Sequence, residues 1–151
     1  MQIYCSQQHI NNGSHRFCTH CGEALPLSVG QVIDNRYEIA RILGQGGFGR
    51  SYLAIDRQKS RKTCVLKEFA PNIVKPQELE KAKELFEREA NVLKKIQHPQ
   101  IPRFHASFQA KIGTKVFTMI GNKTSHYGKV WFEKVVKLVL WLNKSIKLFL
   151  K

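Results

Sequence analysis

Four residues near the start of the chain have the types and spacing of a metal site. Cys5 and His9 form one close pair, Cys18 and Cys21 another, and Gly22 follows at once. Zinc takes four nitrogen or sulfur donors in a tetrahedron, and two short spacings let each of two turns deliver two of them. A glycine after the second cysteine permits the positive φ that such a turn uses. A segment this small buries little, so coordination would supply most of its folding energy. A redox C-x-x-C pair would leave Cys5 and His9 without a role. A disulfide needs an oxidising compartment, and the opening MQIYCSQQHI lacks the basic stretch and apolar run of a secretory leader. His15 and His20 are alternative nitrogen donors, His20 lying between the two cysteines and so better placed for solvent.

A second constellation could handle phosphate. Gly44-Gln45-Gly46-Gly47-Phe48-Gly49 lets a backbone lie close over a polyphosphate with N–H groups aimed at its oxygens. Its flanks read as two strands, whereas the dinucleotide-binding version of this pattern joins a strand to a helix. A plain glycine-rich hairpin is the bland alternative. The following strand carries Cys64-Val65-Leu66-Lys67, where alternation puts Val65, Lys67 and Phe69 on one face. A lysine among apolar neighbours needs a partner or a route to water. Glu89 falls near the centre of the apolar stripe of the next helix, and a carboxylate there wants a cation. Lys67 is the candidate; an edge lysine and a misjudged helix phase are the separate alternatives.

The elements that must position these groups read as β-β-β-α-β from Arg36 to Gln109: YEIARIL, RSYLAID, KTCVLKEF, a long helix and RFHASFQ. Leu79, Ala82, Leu85, Phe86, Ala90, Leu93 and Ile96 share one stripe of that helix. Pro76 suits its first turn, Lys94 and Lys95 its last, and His98-Pro99 closes it. The fold class is therefore α+β: an antiparallel sheet plus one helix, preceded by a small zinc ribbon and followed by an irregular or helical tail. The divisions fall at 1–24 (ribbon), 25–35 (linker), 36–112 (the β-β-β-α-β body) and 113–151 (tail).

Charge separates the tail from the body. The net charge is +14 over 151 residues, yet residues 111–151 hold nine Lys and one acid, Glu133. A mildly basic body with a basic tail is not the even footprint of a nucleic-acid binder, and the ribbon itself has only Arg16. Nucleic acid is not an expected partner. The longest apolar run, Leu138 to Leu142, is too short to span a bilayer. The expected location is cytoplasmic.

At this point the chain resembles the protein kinase family. Gly44-x-Gly46-x-x-Gly49-x-Ser51 is similar to its glycine-rich loop, with Ser51 where valine is commonest. Cys64-Val65-Leu66-Lys67 is similar to the V-A-I-K strand, Phe86-Glu87-Arg88-Glu89-Ala90 to the αC helix, and His98-Pro99-Gln100-Ile101 to the turn after it. With the Cys/His segment in front, residues 1 to about 112 resemble bacterial serine/threonine kinases that carry an N-terminal zinc ribbon. The resemblance implies ATP as ligand, with Gly44, Gly46, Gly47, Phe48, Gly49 and Ser51 covering it. Leu43 and Val65 would flank the adenine, Lys67 would meet the α/β-phosphates, and Glu89 would hold Lys67.

The same resemblance calls for H-R-D and D-F-G motifs, and neither occurs. Asp is found only at positions 34 and 56, so no residue answers to the catalytic base or the Mg²⁺ ligand. The reading is a serine/threonine kinase N-lobe, truncated before the catalytic lobe, inactive alone, with ATP binding weak or lost. Its protein substrate belongs to the full-length family, and a separate C-lobe chain is a candidate partner. Lys115 to Gly121, KVFTMIG, can be read as a fifth strand with no hinge signature after it, and the tail reads either as sequence after a lost reading frame near residues 111–116 or as a basic amphipathic helix. In the second case Lys129, Lys137, Lys144, Lys147 and Lys151 lie opposite Trp131, Val135, Leu138, Leu142, Ile146 and Phe149. That version gives a non-catalytic binding module whose tail meets a membrane surface or a protein partner.

Overall fold

The computed structural model describes residues 1–46, 49–71, 75–97 and 103–110, together with the backbone of Lys115–Gly121. Gly47, Phe48, the His98-Pro99 turn and both readings of the tail beyond residue 121 lie outside the described residues.

The first unit is a two-stranded hairpin, β1 (Gln2–Tyr4) against β2 (Ile10–Asn12), followed by a bridge between Phe17 and Ala24. Its buried cluster is only Cys5, Cys18 and Leu25, with Ile3 packed alongside. That is far too little apolar surface to hold some twenty residues in place without another source of stability.

The second unit is a six-stranded antiparallel sheet in the order β3-β4-β5-β6-β8-β7. β3 is Val32–Ile33, β4 Tyr37–Gly46, β5 Gly49–Asp56, β6 Lys62–Phe69, β7 Arg103–Ala110 and β8 Lys115–Gly121. The expected β-β-β-α-β series is present with its helix, α1 (Pro76–Lys95), packed across β7. Ala82, Phe86, Ala90 and Leu93 of the predicted stripe are buried. Leu85 and Ile96 are half-buried, and Leu79, in the first turn, is 38% exposed.

Alternation divides the sheet into two faces. Ser51 pairs with Lys67 and Leu53 with Val65, so these four share the front face, toward α1. Arg50 pairs with Glu68, Tyr52 with Leu66 and Ala54 with Cys64, and these form the rear face. Residues 25–35, expected as a linker, instead pack on the rear: Leu27 and Ile33 join Tyr37, Ile39, Tyr52, Ala54, Cys64 and Leu66 in one core cluster. Asp34 and Asn35, at φ of 52° and 51°, make the tight turn that folds β3 back onto β4. The sheet also continues past the expected boundary at 112. β8 slots between β6 and β7, which gives both strands a partner they would otherwise lack.

Candidate metal centre and phosphate-facing hairpin

In the ribbon, the four donors predicted from spacing converge. One ligand atom from each of Cys5, His9, Cys18 and Cys21 lies within 4.8 Å of all the others. The Sγ atoms of Cys5 and Cys21 are 3.8 Å apart, and His9 Nδ1 is 3.3 Å from Cys5 Sγ and 3.6 Å from Cys18 Sγ. A tetrahedral Zn²⁺ with bonds of about 2.3 Å to sulfur and about 2.0 Å to nitrogen would set S–S edges near 3.8 Å and S–N edges near 3.5 Å. The donor set fits the ion. The alternative nitrogen, His20, instead stands beside His9 with ring centroids 5.1 Å apart.

Local backbone explains the convergence. Gln8 at φ 64° turns the chain back between Cys5 and His9, and Gly22 at φ 71° closes the second turn after Cys21. The His9 N–H points at Cys5 Sγ and the His20 N–H at Cys18 Sγ, each at 3.4 Å, while the Asn11 amide reaches Cys18 Sγ at 3.3 Å. Such donors stabilise thiolate. Burial pushes the Cys18 thiol up, but N–H groups of Cys21 and His20 and the Asn11 amide outweigh it and bring the thiol to about 5. Cys21 moves the other way: a backbone hydrogen bond at Glu23 favours its thiolate, yet burial and the neighbouring sulfurs of Cys18 and Cys5 hold it up. One sulfur is ready to ionise and the next resists. A cation held by these four donors would remove that resistance.

The second candidate site lies on the front of the sheet. Gly44 pairs with Ser51 and Gly46 with Gly49, so β4 and β5 form the two arms of the predicted glycine-rich hairpin. Leu43 sits half-buried at a register shift between Ile42 and Gly44. Gly49 is demanded by packing, because a Cβ there would overlap the carbonyl oxygen of Glu68 on β6. Lys67 Nζ meets Glu89 Oε2 at 2.5 Å, with the two side chains only 3% and 7% exposed. Phe86, one turn before Glu89 on α1, meets Phe69 in a tilted ring contact, centroids 5.2 Å apart, and its ring centroid lies 5.8 Å from the Lys67 ammonium. Val65 is fully buried on the same face. Ser51 Oγ is buried with no hydrogen-bond partner among the described residues, one strand across from Lys67.

Sequence reasoning passed over a third group, on the rear face. Arg50, Tyr52 and Glu68 are polar, buried and mutually connected. The readable signal was the alternation that sends Arg50 and Glu68 away from Ser51 and Lys67. What they would meet there depended on residues 23–27 folding back over the sheet.

An antiparallel sheet with one helix, a glycine-rich hairpin and a strand-to-helix Lys–Glu pair defines a protein-kinase-like N-lobe. No family model matches the chain. Serine/threonine-protein kinase F of Synechocystis is 44% identical over 97 residues, covering 62% of this chain and 18% of the relative. Serine/threonine-protein kinase PknA of Nostoc is 41% identical over 83 residues, 53% of this chain and 15% of the relative. The probable serine/threonine-protein kinase YbdM of Bacillus subtilis is 40% identical over 83 residues, 55% and 31% respectively. Among solved structures, the apo form of PpkA-294 aligns at a TM-score of 0.54 with 21% identity, over 64% of this chain and 38% of that one. A crystallised kinase domain aligns at 0.51 with 24% identity, over 64% and 27%. The chain is similar to these serine/threonine protein kinases over more than half of its length, and it spans less than a third of the length of each of these curated relatives.

Proposed function

We propose that this chain supplies the ATP-binding half of a serine/threonine protein kinase, with Zn²⁺ as the structural ion of its ribbon. The observation that supports the first part best is the buried Lys67–Glu89 pair, directly across the strand register from Ser51 of the hairpin. A buried ammonium held by one carboxylate still has two donors free for phosphate oxygens. In this reading Gly44, Gly46, Gly47, Phe48 and Gly49 cover the phosphates and Ser51 adds its unpartnered hydroxyl. Leu43 and Val65 flank the adenine, Lys67 meets the α/β-phosphates, and Glu89 fixes Lys67. The metal reading rests on the four converging donors Cys5, His9, Cys18 and Cys21. Their thiols must stay reduced, which fits the cytoplasm as the proposed location. No helix among the described residues is long and apolar enough to cross a membrane.

Phosphoryl transfer needs more than these residues. Asp34 sits in the β3–β4 turn and Asp56 is held by Arg36, so neither serves as a base or a Mg²⁺ ligand at the front face. The proposed partner is a C-lobe that brings those groups, with a protein serine or threonine as substrate. Titration of ATP into the full chain, followed by ³¹P line broadening, tests the binding half. Binding of roughly millimolar strength that Lys67→Met abolishes is the expected result. Equal broadening by the variant would refute the assigned role of Lys67.

A further inference from the structure

Arg50 follows Gly49 of the hairpin, but its side chain runs to the rear of the sheet. Its guanidinium donates to the carbonyl oxygens of Ala24 at 2.5 Å and Leu25 at 3.4 Å. It also lies 3.9 Å from the Glu23 carboxylate and 3.7 Å from that of Glu68, with only 4% of the side chain exposed. Glu23 accepts the backbone N–H of Ser6 at 2.9 Å and its hydroxyl at 2.7 Å, and Ser6 is the residue after Cys5. On the other side, Glu68 accepts the Tyr52 hydroxyl at 2.7 Å, and the Tyr52 oxygen accepts the Leu27 N–H at 3.1 Å. A continuous polar path therefore links both metal turns to β5 and β6. It meets those strands at the residues next to Gly49 and Lys67.

We infer that Arg50 is a positioning residue that couples metal occupancy of the ribbon to the order of the glycine-rich hairpin. The inference rests on the zinc reading above. Without metal the ribbon has too small a core to stay folded, and its unfolding takes Ala24, Leu25 and Glu23 away from a buried guanidinium. Arg50 then loses its partners in residues 23–25 and is released to water, and β5 loses the rear contacts that hold it next to Gly49. With metal bound, the same contacts clamp the hairpin from behind. The coupling is reciprocal, so a firmly held Arg50 also retains the ion.

The full chain loaded with Co²⁺ reports both ends at once. Thiolate-to-metal absorption reads occupancy, and amide hydrogen exchange over residues 49–56 reads hairpin order. Metal is expected to slow that exchange by at least about fivefold, the lower end of ordinary site-to-site coupling. Arg50→Met should keep the absorption and lose the response, and Arg50→Lys should regain part of it. If Arg50→Met does not fold, Glu23→Gln, which cuts the path at its outer end, should weaken the response in the same direction. Unchanged exchange in a wild-type chain that shows the absorption overturns the coupling alone, as does a full response in Arg50→Met. A wild-type chain with no absorption overturns the zinc reading and the coupling together.

Discussion

The ribbon and the lobe solve the same problem by opposite means. The ribbon buries two cysteines and one leucine, and what could hold it is a four-donor centre built from residues close in sequence. The lobe buries a continuous apolar cluster on the rear of its sheet and holds the Lys67–Glu89 pair buried on the front, joining residues on separate elements. A small segment can be specified by spacing and a metal. A sheet-and-helix lobe needs a core, and its charged pair is tolerated because β6 and α1 hold both partners against each other.

The largest effect that would sharpen this contrast is removal of the metal proposed for the ribbon. Chelation, or Cys18→Ser, should unfold the β1–β2 hairpin while the lobe stays folded, with a loss of order 10 kcal/mol for the ribbon alone. Retained β1–β2 amide protection in excess chelator would break the contrast. Next in size is Lys67→Met, which strands the Glu89 carboxylate at 7% exposure. A loss of about 3–5 kcal/mol in the urea unfolding free energy of the lobe is expected, largely recovered in Lys67→Met/Glu89→Leu. No recovery in the double variant would mean that the lysine stem's packing, not the unpaired charge, sets the cost.

The smallest effect is acid sensitivity at Asp56. Arg36 donates two hydrogen bonds of 2.8 Å to it and, against the opposing pull of burial, holds its carboxyl below the ordinary value of 3.8. A carboxyl lowered on folding gives stability that is full above its ordinary value and is lost as pH falls toward the folded one. Urea midpoints measured between about pH 5 and pH 2 should therefore drop less steeply in Asp56→Asn than in the wild type. Parallel curves would remove Asp56 from the acid limb.

The clustering of Cys5, His9, Cys18 and Cys21 and the β-β-β-α-β series were legible because each depends on short-range pattern: close residue pairs, alternation in strands, a stripe on one helix. Gly49 was legible as a glycine but not for its reason, which is the Glu68 carbonyl pressed against it from β6. The packing of residues 25–35 carried a cue in Asp34-Asn35, a strong turn pair, that composition alone presented as a connector. The place of Lys115–Gly121 carried almost none, since a strand's neighbour is set by the sheet it completes.

By itself the sequence determined which residues could do chemistry and on which local element each would stand, because side-chain type and periodicity act over a few residues. Only the tertiary structure decided that Arg50 and Glu68 face the ribbon while their strand neighbours Ser51 and Lys67 face the helix side. The physical reason is that a strand assigns residues to alternate faces, and what covers each face comes from distant parts of the chain.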